Sequence, residues 1–263
     1  MAGIFSDLSS IGFGGLSNVN IFDDEDEKKK SAKQQGATGT PQYNEVDFLF
    51  DKTGKPHLIG SDPDLRPKYQ GIDSVKYDVI VCPHCGYGAL SRFFSYMTTH
   101  QAKLIHDNIS VNFKGLAPTG DTYTYDDAIT RYKLALLNTV VKKAKVSERA
   151  YTCLKLAWLY RGKAENLKPD EADYAKKKEE CAKAEKEMLA NAYEGFMMSV
   201  SKENFPICGM DETTLDYLMA NLAKQIGRID EASRIVSRIL VSKTANPKIK
   251  DKARDLKELL KTK

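Results

Sequence analysis

The spacing of apolar and polar residues predicts a short β-rich part followed by a long helical part. Val46, Phe48 and Phe50 alternate with polar or smaller neighbours, and Tyr77 to Val81 is a strand candidate rich in β-branched residues. From Ala89 onward apolar residues recur every three or four positions, which is typical of amphipathic helices. We therefore expect an α+β fold that is mostly α.

Start and stop signals divide the helical part into hairpins. Thr124 is a candidate N-cap for one helix, and a second begins near Ser147 after a link short enough to make the two antiparallel. Pro169-Asp170 is expected to begin a long third helix, which Phe205-Pro206 limits.

The last two predicted helices resemble a tetratricopeptide repeat. Gly227 to Asp230 makes a tight turn after one apolar stripe, and Glu231-Ala232 follows it in the next helix. The first stripe consists of Leu215, Leu218, Leu222 and Ile226. One match of this kind predicts tetratricopeptide-like antiparallel helical hairpins, without a regular array.

The chain is expected to have four parts. Residues 1–22 are a short apolar segment, predicted to dock on the body of the same protein, and residues 23–43 are a charged and polar linker. Residues 44–90 form a β-rich module with half of a zinc ribbon, and residues 91–263 form an α-helical, repeat-like body.

Charge and cysteine content narrow the class of protein. Forty basic and 36 acidic residues give a net charge of +4, and the basic residues alternate with acidic ones, so we expect no nucleic-acid partner. No apolar run is long enough for a transmembrane helix, and we expect no membrane partner. Five cysteines, an odd number, favour a reducing cytoplasm over a disulfide framework.

The stretch Cys82-Pro83-His84-Cys85-Gly86 contains the residues best suited to metal binding or redox chemistry. Cys-Pro-x-Cys-Gly has the form of a zinc knuckle, in which Pro and Gly shape a turn that points both sulfurs at one ion. A closed site needs two more ligands, and His57 is the other plausible ligand of this module, since His84 lies between the cysteines. Cys82 and Cys85 are therefore candidate ligands of an incomplete zinc site.

Two other interpretations of the motif stay open. Cys-Pro-His-Cys is similar to the active-site motif of DsbA-type disulfide oxidoreductases, in which a following helix would lower the pKa of Cys82. The predicted helical body lacks the later strands that a thioredoxin fold needs. The motif could instead be a structural turn with two free thiols.

Four stretches together resemble one bacterial family. They are Leu58–Pro67, Tyr77–Tyr87, Tyr132–Leu137 and Leu154–Arg161, and the family is domain of unknown function 2225. The resemblance spans roughly residues 45 to 240, and it implies a zinc-ribbon-like module joined to tetratricopeptide-like helices. Members have an earlier Cys-x-x-Cys, which this chain lacks between Phe50 and Leu58. The resemblance thus implies zinc only if His57, a second molecule or a partner supplies ligands.

No catalytic constellation accompanies the motif. The chain has no phosphate-binding glycine loop, no Gly-x-Ser-x-Gly elbow and no His-Glu-x-x-His. The cluster of Asp62, Asp64 and Arg66 is interpreted as an ordinary polar loop. We expect a non-enzymatic interaction scaffold that binds a protein or peptide in a groove between hairpins. The alternatives are a thiol–disulfide oxidoreductase and a zinc-dependent regulatory protein.

Overall fold

A computed structural model describes residues 4–14, 19–22 and 57–261. The predicted linker at 23–43 and the alternating pattern at Val46, Phe48 and Phe50 lie outside the described residues.

The described chain contains four short strands and eight α-helices. The strands are β1 (Leu58–Ser61), β2 (Pro67–Tyr69), β3 (Val79–Val81) and β4 (Gly88–Leu90). The helices are α1 (Ser91–Phe94), α2 (Thr99–Ile105), α3 (Tyr125–Val141), α4 (Val146–Asn166), α5 (Tyr174–Lys202), α6 (Glu212–Ile226), α7 (Ile229–Val241) and α8 (Pro247–Lys261). Single 3-10 turns cover Ser6–Ile11 and Ser74–Tyr77, and a π-helical turn covers His106–Ser110.

The predicted fold class is confirmed, because helices dominate and the strands form two small antiparallel sheets. One sheet pairs β1 with β2, and the other pairs β3 with β4, so that Val81 lies opposite Gly88. The single β-rich module of residues 44–90 stays a prediction. The strands described within it belong to two separate sheets.

The chain divides into two compact units. Of the described residues, the first unit comprises 4–14, 19–22 and 74–152, and the second comprises 57–73 and 153–261. One boundary falls inside α4. Because another falls between Asp73 and Ser74, the β1–β2 sheet belongs to the second unit and the β3–β4 sheet to the first.

Helix α3 is the centre of the first unit. A capping box begins it: the Asp127 N–H donates to Thr124 Oγ1 (3.1 Å), and the Thr124 N–H donates to Asp127 Oδ2 (2.9 Å). The helix is buried along most of its length and packs against β3 and β4. The predicted cap at Thr124 is therefore correct.

The N-terminal segment packs into this unit, as its apolar spacing predicts. Phe5 and Leu8 are fully buried, and the Lys114 N–H donates to the Ile11 carbonyl (3.0 Å). Asp7 forms an ion pair with Lys133 of α3. Residues 4–14 therefore contribute to the core of the first unit.

Helices α5 to α8 pack in sequence in the second unit. Gly227, at a φ of 91°, ends α6 in the left-handed conformation that permits the two-residue turn into α7. The predicted start of α5 at Pro169 is wrong: α5 begins at Tyr174, because Asp173 has a φ of 59°, which interrupts the helix. Within the described residues, no helix is both long and apolar enough to cross a membrane.

Candidate functional site

The Cys-Pro-His-Cys-Gly motif forms the loop between β3 and β4. The Cys82 N–H donates to the Tyr87 carbonyl (2.8 Å), and the Gly86 N–H donates to the Cys82 carbonyl (3.0 Å). Gly86 has a φ of 70°, which glycine adopts without steric cost. The loop is thus a tight turn, and we refer to residues 82–86 as the knuckle, although the zinc knuckle itself stays a prediction.

Two side chains of the first unit hold the knuckle in place. Asn138 of α3 is fully buried, and its Nδ2 donates to the carbonyls of Gly86 (3.1 Å) and Leu134 (2.8 Å). Phe113 covers Gly86 so closely that a Cβ on the glycine would lie 2.6 Å from the ring. The knuckle is therefore anchored by protein contacts that involve no metal.

The two thiols lie together and are shielded from water. Cys82 is buried, Cys85 is half-buried, and the two thiols are within hydrogen-bonding distance of each other. Burial raises the pKa of the Cys85 thiol, and its contact with Cys82 raises it further, although contacts with the Tyr87 backbone and Ser110 act in the opposite direction. Cys85 is therefore a poor nucleophile at neutral pH.

The elements around Cys-Pro-His-Cys differ from those around the redox motif that it resembles, in which a helix begins at the cysteines. The expectation of helix from Ala89 onward is wrong, because Ala89 lies in β4 and α1 begins only at Ser91. No helix starts at Cys82 or Cys85 to stabilise a thiolate, whereas low-pKa cysteines of this motif depend on such a terminus.

We expect Cys85 to be alkylated by iodoacetamide with a pH midpoint above that of free cysteine. The reason is the burial that disfavours its thiolate. Tandem mass spectrometry after short labelling across a pH series would resolve Cys85 from Cys82, and the urea-unfolded chain supplies the unperturbed midpoint. A midpoint below neutral pH in the folded protein would contradict this prediction and favour redox chemistry.

The thiols do not fit a closed zinc site in the described part of the chain. Zinc needs four ligands in a structural site, yet residues 4–14, 19–22 and 57–261 contain no group of three or more His, Cys, Asp and Glu side chains arranged to hold a metal. His57, the ligand predicted to help, is exposed and belongs to no such group. Cys82 and Cys85 are thus two donors of the four required.

We expect a chelator to leave the stability of the purified protein unchanged. Asn138 and Phe113 contact the knuckle directly, and on that basis we expect its fold to persist without a bound metal. Thermal unfolding with and without EDTA, together with zinc analysis by mass spectrometry, checks this. One zinc per chain that is lost in Cys85→Ser, with a lowered melting temperature in EDTA, would contradict it, and one zinc per two chains would indicate a site shared between two molecules.

A second polar cluster, in the second unit, surrounds Asp64. This carboxylate is completely buried, and Arg161 donates to both of its oxygens, from Nη1 to Oδ1 (3.1 Å) and from Nη2 to Oδ2 (2.7 Å). Trp158 Nε1 (3.2 Å) and Gln225 Nε2 (3.3 Å) also donate to Oδ2. A buried carboxylate with four donors is fully compensated for its loss of water.

Further ion pairs extend this cluster over the β1–β2 hairpin. Arg161 Nε donates to Glu185 (2.7 Å), and Arg66, itself buried, donates to Glu165 (3.0 Å) and Asp73 (3.1 Å). Burial alone would lower the pKa of Arg161, but the hydrogen bonds and charges of Asp64 and Glu185 outweigh it and raise the pKa. The cluster ties the hairpin to α4, α5 and α6.

The interpretation of Asp62, Asp64 and Arg66 as an ordinary polar loop missed this cluster. Asp64 and Arg161 are 97 positions apart, so no local pattern joins them. The signal available in the sequence was the family resemblance, because Asp64 and Arg161 lie in two of its four stretches.

The four stretches pair within the two units. In the second unit, Leu58–Pro67 meets Leu154–Arg161 through Asp64, Trp158 and Arg161. In the first unit, Tyr77–Tyr87 and the adjoining β4 pack against the α3 segment Tyr132–Leu137. The residues that resemble the family therefore contact one another within each unit.

Comparison with known proteins identifies the family. A family model described as an uncharacterised protein conserved in bacteria, DUF2225, matches residues 49–260. Because this match covers well over half of the 263 residues, the chain belongs to that family, and the predicted resemblance is confirmed. No curated protein matched the chain, and no solved structure matched it. The zinc-ribbon and tetratricopeptide-like details stay predictions.

Proposed function

We propose that this DUF2225 family member is a non-enzymatic interaction scaffold whose helical hairpins bind a protein or peptide. The observation that carries the proposal is the use of the polar side chains in the family stretches. Trp158 and Arg161 both donate hydrogen bonds to Asp64 inside the second unit, and Asn138 holds the knuckle of the first. Polar residues committed to such contacts support the fold itself, which favours a structural role over catalysis.

Exposed apolar residues on α5 offer the partner a binding surface. Met197 and Val200 are three residues apart and so share a helix face, and they are 48% and 39% exposed. Phe205, 37% exposed, follows the end of the helix. Methionine side chains adapt to partners of different shape, which suits a binding surface.

The order of the helices places a further exposed residue at the same end. Helix α6 packs against both α5 and α7, and we infer that consecutive helices of this set run antiparallel. The end of α5 would then lie at the same end of the set as the start of α6 and the end of α7. Val241, the last residue of α7, is 80% exposed. We place the partner here, in the groove between hairpins.

Affinity capture tests the proposal with a matched control. The full chain would be immobilised and exposed to bacterial lysate, beside Met197→Glu/Val200→Glu and Lys183→Glu/Lys186→Glu, which alters exposed polar positions of the same helix. We expect the wild type and the lysine variant to retain the same partner and the apolar-face variant to lose it. The proposal is overturned if the wild type repeatedly returns no partner while an activity screen shows reproducible turnover.

A thiol–disulfide oxidoreductase is the second candidate. It is favoured by the contact between the Cys82 and Cys85 thiols, which a disulfide substrate could oxidise to a Cys82–Cys85 disulfide while being reduced itself, and opposed by the raised pKa of Cys85. Insulin reduction that disappears in Cys82→Ser would support it. In either case we propose a cytoplasmic location, because a reducing compartment suits five cysteines that form no disulfide with one another.

A further inference from the structure

The C-terminal helix has a continuous line of basic side chains. Lys250, Arg254, Lys257 and Lys261 recur at intervals of four, three and four residues, which places all four on one face of α8. We name these four residues the basic stripe. At 1.5 Å per residue the stripe is about 16 Å long. Arg254, Lys257 and Lys261 are exposed, and Lys250 is half-buried.

The stripe belongs to a region whose charge differs from that of the chain as a whole. Residues 224–261 contain eleven basic and five acidic residues, a surplus of six, although the net charge of the entire chain is only +4. Local carboxylates neutralise part of the stripe, since Asp251 pairs with Arg254 and Glu258 with Lys261. Glu194 and Asp216, which lie outside this stretch, pair with Arg228 and Arg238 within it, so a surplus of four basic residues remains.

The geometry of α8 disfavours a membrane. A membrane-surface helix inserts its apolar face among the lipids. In α8 that face contains Ala253 and Leu256, which are buried, and the helix packs against α6 and α7. Leu259 of α8 is 53% exposed, but it lies on the side of the helix opposite the stripe. A bilayer that met the stripe would therefore gain no apolar contact from α8.

The distribution of charge also disfavours nucleic acid. Asp251, Asp255 and Glu258 lie on the outer face of the same helix, where a phosphate backbone wider than the stripe would meet them. No aromatic residue interrupts the stripe to stack on a base. A polypeptide with one line of carboxylates fits a stripe that is one residue wide.

We propose that the basic stripe of α8 binds an acidic segment of a partner polypeptide, in which carboxylates recur at helical spacing. This inference rests on the proposed scaffold function and adds the chemistry of the partner. Each carboxylate would lie opposite one basic side chain. Two of the incoming carboxylates would replace Asp251 and Glu258 as partners of Arg254 and Lys261, so we expect a modest affinity. This affinity should decrease as the salt concentration rises.

Fluorescence anisotropy with designed peptides tests the stripe. The probe is a fluorescein-labelled alanine-based peptide with Glu at positions i, i+4, i+7 and i+11, and a peptide with Gln at those positions is its control. The protein variant is Arg254→Glu/Lys257→Glu, and its matched control is Lys243→Glu/Lys248→Glu, which makes the same change of charge at exposed positions outside the stripe. Circular dichroism checks that both variants remain folded, and Arg254→Gln/Lys257→Gln replaces the first if it does not.

We expect the Glu peptide to bind the wild type, to bind at least tenfold more weakly to the stripe variant, and to bind within twofold of the wild type to the control. No binding of the Glu peptide, equal weakening in both variants, or tighter binding of duplex DNA or phosphatidylserine vesicles overturns the proposal. The stripe variant would also be used in the affinity capture. If it retains a partner that Met197→Glu/Val200→Glu loses, this inference is overturned and the scaffold function stands.

Discussion

Asp64→Ala is expected to reduce the free energy of unfolding by about 3–5 kcal/mol, because it removes the fully buried partner of Arg161, which keeps its ion pairs with Glu185 and Asp62. Arg161 would lose two hydrogen bonds to the carboxylate, and Trp158 Nε1 would lose its acceptor. The penalty for an unpaired buried donor exceeds the net value of the bond that is removed. Asp64→Asn, which keeps the shape and one acceptor oxygen, should fall between the wild type and Asp64→Ala.

Trp158 gives this experiment a local probe. It is the single tryptophan of the chain and a direct neighbour of Asp64, so its fluorescence reports the second unit during urea unfolding. Far-UV circular dichroism follows both units at once. In Asp64→Ala, we expect the urea midpoint measured by fluorescence to fall further below the wild-type value than the midpoint measured by circular dichroism.

Asp251→Ala is the matched control for Asp64→Ala. It breaks another Asp–Arg pair of the second unit, but the side chains of Asp251 and Arg254 are both more than 60% exposed. Exposed pairs of this kind contribute at most about 0.5 kcal/mol. Equal effects of the two substitutions would show that the Asp64 cluster is not the buried network that its contacts indicate.

Elements with strong local signals were predictable from the sequence, and elements that depend on distant pairing were not. Thr124 and Gly227 mark helix ends through capping geometry that belongs to a few adjacent residues. Strand β4 was missed because Gly88-Ala89-Leu90 is short and has no β-branched residue, so that its pairing with β3 defines it.

The two candidate sites show the same difference. The knuckle turn follows from Pro83 and Gly86, yet the side chains that anchor it, Phe113 and Asn138, come from later in the chain. Similarly, Asp64 looks like a loop residue until α4 brings Arg161 to it. Local sequence thus predicts the turn, and tertiary packing decides which of its groups are buried and paired.

Gly86→Ala should destabilise the first unit by about 2–5 kcal/mol through two additive effects. A residue with a Cβ pays about 1–2 kcal/mol to adopt the left-handed conformation at a φ of 70°. The new methyl group would also lie 2.6 Å from the Phe113 ring, and relieving such overpacking costs about 1–3 kcal/mol. The substitution therefore tests whether the knuckle is anchored by protein packing.

Gly115→Ala separates the two effects, because Gly115 has a φ of 93° and no atom within 4 Å of a Cβ built there. We expect it to show the conformational cost alone. The double variant Gly86→Ala/Phe113→Ala should be more stable than the sum of the two single effects predicts, since removing the ring removes the clash. Chemical unfolding followed by circular dichroism, with hydrogen exchange of residues 79–90 as a local measure, gives all four values. If Gly86→Ala costs no more than Gly115→Ala, the ring does not hold the knuckle, and a ligand at Cys82 and Cys85 becomes the better explanation of its conformation.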